Sequence, residues 1–296
     1  MSKFKKLLES GELSLKGKTV AISGATGGLG REICRRLCML GADLVLLDRN
    51  AERSRALVSE LLAEFPQTVA EHITLDLEDM ERVKLVADML EERGVDYLIL
   101  NAGAYSIPRH KCSTGFDNVY QINFVSPYYL ARQLLPTVSK RGGRIVAVGS
   151  IAHNYSHIDP DDVDFSTRRA ASKVYGNAKR YLMFSLMGLE DKTLTVTHPG
   201  ITVTNITAHY PKLLYAIIKY PMKLIFTPPR RACLSILEGL FDTCEKNEWI
   251  GPWLFDVWGA PKKKRLKTCS DSEAAEICRT AESIYGELCE KTYKED

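Results

Sequence analysis

The stretch KTVAISGATGGLG, residues 18–30, constrains this chain more than any other. Residues 19–22 are a short apolar run with β-branched members, the composition of a buried strand. The run enters a glycine-rich turn, and residues 31–40 carry a helical pattern. Strand, glycine turn and helix together form a nucleotide-binding context. Glycines let the backbone turn tightly and approach a pyrophosphate, while the helix supplies N–H groups and the positive end of its dipole. Gly24, Gly28 and Gly30 are spaced GxxxGxG and not GxGxxG. A glycine turn with no ligand is the bland alternative.

The remaining sequence repeats the alternation. Apolar runs at 43–47, 69–75, 96–100, 144–148 and 194–197 read as strands, separated by helical patterns at 51–65, 78–93, 116–139 (interrupted at Pro127) and 170–188. This order predicts an α/β fold of the Rossmann type, a doubly wound parallel sheet in one domain with helices on both faces. Ligands in such sheets bind beyond the carboxyl ends of the strands. Gly24, Asp48, Asp76, Asn101, Ser150 and Pro199 all fall at predicted strand ends. Asp48 lies about 20 residues past the glycines, where a carboxylate hydrogen-bonds an adenosine ribose. It would repel a 2′-phosphate and favours NAD. Arg49 beside it would pair with that phosphate and keeps NADP open.

Composition narrows the class. At 296 residues and 45% hydrophobic, the chain is long enough for one large α/β core. A net charge of +3 gives no reason to expect nucleic acid. Eight cysteines include no CxxC pair, and Cys34 and Cys38 read as small core residues of a helix, so a reducing, cytoplasmic setting is expected. The first residues lack the apolar run of a signal peptide, and no run of about 18 apolar residues suggests a spanning helix. His153 and His157 are four apart but not in an HExxH pattern, and no metal is expected.

Taken in order, Ser23-Gly24-x-x-x-Gly28-x-Gly30, Asn101-Ala102-Gly103, Asn123, Ser150, Tyr175-x-x-x-Lys179 and Pro199-Gly200 resemble the short-chain dehydrogenase/reductase family. The flanking text NFVSPYYL, VGSIAH, AKRYLMF and HPGITVT is most like the branch containing retinol dehydrogenases. Ser23 stands where the family usually has Thr and keeps the hydroxyl. The resemblance implies an NAD(P)-dependent oxidoreductase interconverting an alcohol and its carbonyl. It implies a nicotinamide cofactor held by Ser23, Gly24, Thr26, Gly27, Gly28, Leu29, Gly30, Asp48, Arg49, Asp76, Leu77, Asn101, Ala102, Gly103, Tyr175, Lys179, Pro199 and Gly200. It assigns catalysis to Asn123, Ser150, Tyr175 and Lys179, with the asparagine holding a water in the proton path.

The residue types suit those roles. Hydride transfer at a carbonyl carbon needs a proton moving at the oxygen. Tyrosine titrates near 10, too high for a base at neutral pH. Lys179, four residues on and on the same helix face, would together with an oxidised nicotinamide favour tyrosinate. Tyr215-x-x-x-Lys219 also fits the spacing, but it follows the Pro199-Gly200 turn and reads as an amphipathic helix. Ser172-Lys173 has Arg169, not tyrosine, three residues before Ser172, so that register fails.

Residues 1–16 read as an N-terminal extension and 17–260 as the oxidoreductase domain. Within it, residues 201–227 are rich in Leu, Ile, Tyr, Met and Phe, which suggests a cover for a lipophilic alcohol or ketone such as a steroid, a retinoid or a long-chain compound. Lysines interspersed there leave peripheral membrane contact open, and homo-oligomerisation is left open too. Residues 228–243 read as a helix and 249–258 as a possible edge strand. Residues 261–296 are expected to be a solvated basic loop, Pro261-Lys-Lys-Lys-Arg265, and a helical tail over 271–290. The rival reading is a catalytically silent nucleotide-binding or redox-sensing protein on the same fold; a membrane-surface scaffold using 201–227 is a third.

Overall fold

Alternation along the strands divides the core into two layers. In β1 (Thr19–Ser23), Val20 and Ile22 face one layer while Ala21 faces the other. In β2 (Asp43–Asp48), Leu44 and Leu46 join the first layer and Val45 and Leu47 the second. Strands apolar on both faces can only be buried between helices. The computed structural model describes residues 3–202 and 227–292.

One layer holds α1 (Lys3–Ser10), α2 (Gly28–Met39), α3 (Ala51–Glu64) and α8 (Pro229–Phe241), seated through Ile33, Leu37, Leu57, Leu61 and Ile236. The other holds α4 (Met80–Arg93), α6 (Ser126–Lys140), α7 (Ala171–Gly188) and α9 (Asp271–Thr292), through Val83, Leu90, Leu134, Leu182 and Ile277. Phe4 is buried and its ring lies 6.1 Å from that of Phe241, so the N-terminal helix packs on the core. Among the described residues, no helix is long and apolar enough to cross a membrane.

The sheet also contains β3 (Ala70–Thr74), β4 (Tyr97–Leu100), β5 (Arg144–Val148), β6 (Leu194–Thr197), β7 (Glu248–Leu254) and β8 (Trp258–Arg265). Its order is β3-β2-β1-β4-β5-β6-β7-β8, parallel except for the antiparallel β7–β8 pair. The chain winds outward from β1 through β2 and β3, then returns to β4 on the other side of β1. The ends of β1 and β4 therefore meet at the reversal of winding, where open α/β sheets bind ligands.

Three expectations need correction. The basic run 261–265 is not a loop: it is the outer half of β8. Residues 249–258 do supply a strand, β7, but it lies inside β8 and not at the edge. An edge strand of lysines and a proline suits its place, because charge and a missing N–H block pairing with another sheet. Lys263 and Lys264 pair with Asp242 and Asp256, each at 2.7 Å. The helix expected over 116–139 begins as α5 (Asn118–Tyr120), passes through a π turn at Gln121–Val125 and continues as α6. The irregularity thus precedes Pro127, which follows the π turn at the start of α6.

Candidate active site

The glycine turn is shaped by steric demand at two positions. Gly24 has φ of 70°, and a Cβ there would lie 2.9 Å from Ala102 Cα. At Gly30 a Cβ would lie 2.2 Å from Gly24 O. Neither position accepts a side chain. Gly28 differs, because a Cβ there would meet no protein atom within 4 Å. The space over Gly28 is what a pyrophosphate requires. Helix ends support the same conclusion. Asn50 and Asp79 cap α3 and α4 by accepting from Arg53 N at 2.8 Å and Arg82 N at 3.0 Å. Gly27 precedes α2 with no side-chain cap, so the first N–H groups of α2 have no side-chain acceptor at the cap and are suited to an anion. Leu29, in the first turn, is buried and anchors α2.

Across the winding reversal, Ser23 Oγ accepts from the N–H groups of Asn101 and Ala102, each at 3.1 Å. Asn101 Nδ2 donates to Ser23 O and Gly24 O, both at 3.0 Å. Ser23 thus ties the two loops with the hydroxyl that it shares with threonine. Asp48 is buried. Its Oδ1 accepts from Thr26 N (3.1 Å) and Thr26 Oγ1 (3.0 Å), and its Oδ2 accepts from Ser54 Oγ (2.9 Å). Arg49 is exposed, with a guanidinium nitrogen 3.6 Å from Glu78. Asp76 Oδ1 accepts from Glu78 N at 3.0 Å, and Leu77 O accepts from Ser126 Oγ at 2.7 Å.

The four residues assigned to catalysis come from three elements. Asn123 lies in the π turn, fully buried; its Nδ2 donates to Ala104 O and Val119 O, both at 2.8 Å, and its Oδ1 accepts from Ala104 N at 3.2 Å. A Cβ on Gly103 would lie 2.7 Å from Asn123 Oδ1 and 3.6 Å from Lys179 Nζ, so the Asn101–Gly103 turn is set against both. Ser150 follows β5, its Oγ accepts from Ala152 N at 3.2 Å, and the same hydroxyl acts to lower the pKa of Tyr175 on α7. Tyr105 lies edge-on to the Tyr175 ring, centroids 5.4 Å apart. Lys179, one turn further along α7, is buried with Nζ 5.8 Å from the Tyr175 ring centroid, and it donates to Val148 O at 3.0 Å.

Burial governs the titration of this pair. It pushes Tyr175 up to about 12, opposed by the Ser150 hydroxyl, and pushes Lys179 down to about 8. The side chains alone therefore do not lower the tyrosine; an added positive charge is needed for that. Gly200 has φ of 83°, and a Cβ there would lie 2.7 Å from Val257 O, so the turn after β6 requires glycine. Tyr215, Lys219 and nearly all of the apolar segment 201–227 lie outside the described residues.

Several contributors were not visible in the spacing. His153 is buried and donates from Nδ1 to Ser150 O at 2.6 Å, while its Nε2 meets Thr268 Oγ1 at 2.9 Å. Burial holds this imidazole below its usual range, in keeping with a neutral ring. Arg180 donates to His153 O at 3.0 Å and grips Glu273 of α9 with Nε at 2.8 Å and a terminal nitrogen at 2.5 Å. The C-terminal helix thus braces the segment that carries Ser150. His157, in contrast, is exposed.

Glu78, His110 and Cys112 offer three ligand-type atoms within 4.8 Å of one another. Asn118 Nδ2 donates to Pro108 O (3.1 Å) and to His110 Nδ1 (3.2 Å), which places the ring proton on Nε2, facing Glu78 at 2.9 Å. Burial and the carboxylates of Glu78, Asp117 and Asp76 push the Cys112 thiol up to about 11. The group is therefore arranged as a hydrogen-bonded pair beside a neutral thiol.

Comparison with known proteins agrees with the fold. A model of the short chain dehydrogenase family matches residues 18–160. Retinol dehydrogenase 13 of Homo sapiens is 28% identical over 209 residues, covering 66% of this chain and 62% of that protein. The chain thus spans less than two thirds of that relative's length. A Streptomyces sp. (strain C5) protein named for a daunorubicin C-13 ketoreductase, DnrU, is 31% identical, covering 65% of this chain and 68% of that one. A crystal structure of an uncharacterized protein from Mycobacterium Paratuberculosis superposes with a TM-score of 0.71 at 23% identity, over 93% of this chain and 95% of that chain.

Proposed function

From the premise that the chain belongs to the short-chain dehydrogenase/reductase family, we propose that it interconverts a lipophilic alcohol and its carbonyl with a nicotinamide cofactor. The observation that carries this reading is the junction of Ser150, Tyr175 and Lys179 beside a glycine turn with room over Gly28 and an uncapped helix end. Nicotinamide supplies or accepts the hydride when bound. Tyr175 moves the proton at the substrate oxygen through its hydroxyl. Ser150, whose hydroxyl acts on the Tyr175 pKa, would orient the same oxygen. Lys179 places a cation by the Tyr175 ring and beside Gly103, and would hold the nicotinamide ribose. Asn123 holds residue 104 and the π turn together, which fixes the loop that follows β4.

NAD is the proposed cofactor, because a buried carboxylate stands at the end of β2 and Arg49 already faces an acid. The lipophilic substrate is supported by the apolar composition of 201–227 and by the names of the retinol dehydrogenase and ketoreductase relatives. The test is cofactor turnover with alcohols and ketones of rising carbon number, for the wild type and Tyr175→Phe. Phenylalanine keeps the ring and its packing, so nucleotide binding is expected to persist while turnover falls roughly 10²–10⁴-fold. Tyr215→Phe is the control and is expected to retain turnover. Tight nucleotide binding without turnover of any alcohol or ketone would establish the silent-protein reading instead.

A further inference from the structure

The end of β2 carries two charges of opposite sign, and the structure treats them differently. Asp48 is locked, with both oxygens committed to Thr26 and Ser54. Arg49 is exposed, and the acid that it faces, Glu78, comes from the loop after β3. Glu78 is held firmly. Its N–H donates to Asp76 Oδ1, and its C=O accepts from Gln121 Nε2 at 2.6 Å. Gln121 and Ser126, both fully buried, also donate to Leu77 O, at 3.2 and 2.7 Å. The side chain has a second partner, because His110 Nε2 donates to Oε2 at 2.9 Å while Arg49 faces Oε1.

We propose that Glu78 sets the choice between NAD and NADP by competing with the 2′-phosphate for Arg49. The proposal rests on the reading of the β2 end as the adenosine-ribose site. A carboxylate and a phosphate offer a guanidinium the same geometry and the same sign of charge. Binding of NADP requires Arg49 to leave Glu78, and it brings a phosphate toward a carboxylate whose backbone is pinned and whose other oxygen is held by His110. NAD carries a hydroxyl at that position and asks neither. His110 makes the arrangement reversible: when Arg49 departs, Glu78 keeps one hydrogen-bond donor and is not stranded. Selectivity in this protein therefore comes from an acid on the neighbouring loop as well as from Asp48.

The test is equilibrium titration of the purified full chain with NADH and NADPH, followed by nucleotide fluorescence. Glu78→Gln keeps the backbone contacts and the side-chain volume. It is expected to tighten NADPH by roughly three- to tenfold, the scale of a half-exposed charge pair, with NADH changed less than about twofold. The gain is expected to shrink between about 50 and about 500 mM salt. In Glu78→Gln combined with Arg49→Gln it is expected to vanish, since the cation competed for is gone. A melting temperature close to wild type confirms that each variant folds. The proposal is overturned by equal shifts for both nucleotides, by no shift, or by a gain that survives loss of Arg49. A wild type that binds neither nucleotide overturns the oxidoreductase reading itself, an outcome distinct from equal shifts in a protein that binds both.

Discussion

Lys179→Met is expected to make the protein more stable while abolishing its proposed activity. Burial lowers the Lys179 pKa from 10.5 to about 8. At 1.36 kcal/mol per pH unit, holding this ammonium inside the folded protein at neutral pH costs roughly 3 kcal/mol. The donated bond to Val148 O, 3.0 Å long, returns about 1–1.5 kcal/mol and is lost in the variant. Methionine fills a similar volume without charge, so the net gain is about 1–2 kcal/mol, or roughly 2–4 °C in melting temperature for a domain of this size. The pH dependence identifies the cause. Between about pH 8 and 10.5 the unfolded chain retains a proton that the folded chain has released, so wild-type stability rises with pH through that window. The methionine variant lacks this rise, and its advantage is full below pH 8 and fades toward 10.5. Urea unfolding of both proteins without nucleotide, at about pH 7 and about pH 10, measures the difference directly. A variant less stable at neutral pH, or an advantage unchanged between the two conditions, would refute the claim that a buried charge is held there at a cost. Loss of both turnover and nucleotide affinity in the stabilised variant places the cost on the functional side.

Two further outcomes follow from the geometry. Gly28→Ala and Gly30→Ala are expected to separate binding from folding: alanine at 28 meets no protein atom and leaves the melting temperature near wild type, yet weakens nucleotide binding by about tenfold or more through contact with the ligand, whereas alanine at 30 collides with Gly24 O and destabilises by more than about 2 kcal/mol. Calorimetry and nucleotide titration on the same preparations distinguish the two, and equal effects on stability would count against the open space over Gly28. Glu238 Oε2 is buried without a hydrogen-bond partner among the described residues, and burial with the nearby Asp242 raises its pKa to about 7. Its contribution is present below pH 4.5 and lost as pH rises through 7, so Glu238→Gln is expected to stabilise by about 1 kcal/mol at pH 8 and by little at pH 5, read from unfolding at both.

The strands, the glycine turn and the order of the site residues were legible in the sequence because each is a local signal. A buried parallel strand is a short apolar run, and a glycine cluster between such a run and a helical pattern marks the turn. Tyr175 and Lys179 share a helix face by spacing alone. What the tertiary structure decided is pairing between distant segments. The lysine run of β8 carries no apolar alternation, so it looks like a loop, and it becomes a strand only because β7 offers it an antiparallel partner. The π turn at Gln121–Val125 leaves no mark in composition, since it answers to contacts that Asn123 and Gln121 make with loops 19 and 43 residues away. Glu78 and Arg49 are 29 positions apart and meet because two neighbouring parallel strands end at the same edge of the sheet. The titration of Tyr175 and Lys179 was likewise outside the reach of sequence: residue type supplies a proton-transfer group and a cation, but burial, a property of the assembled fold, decides which way each one shifts.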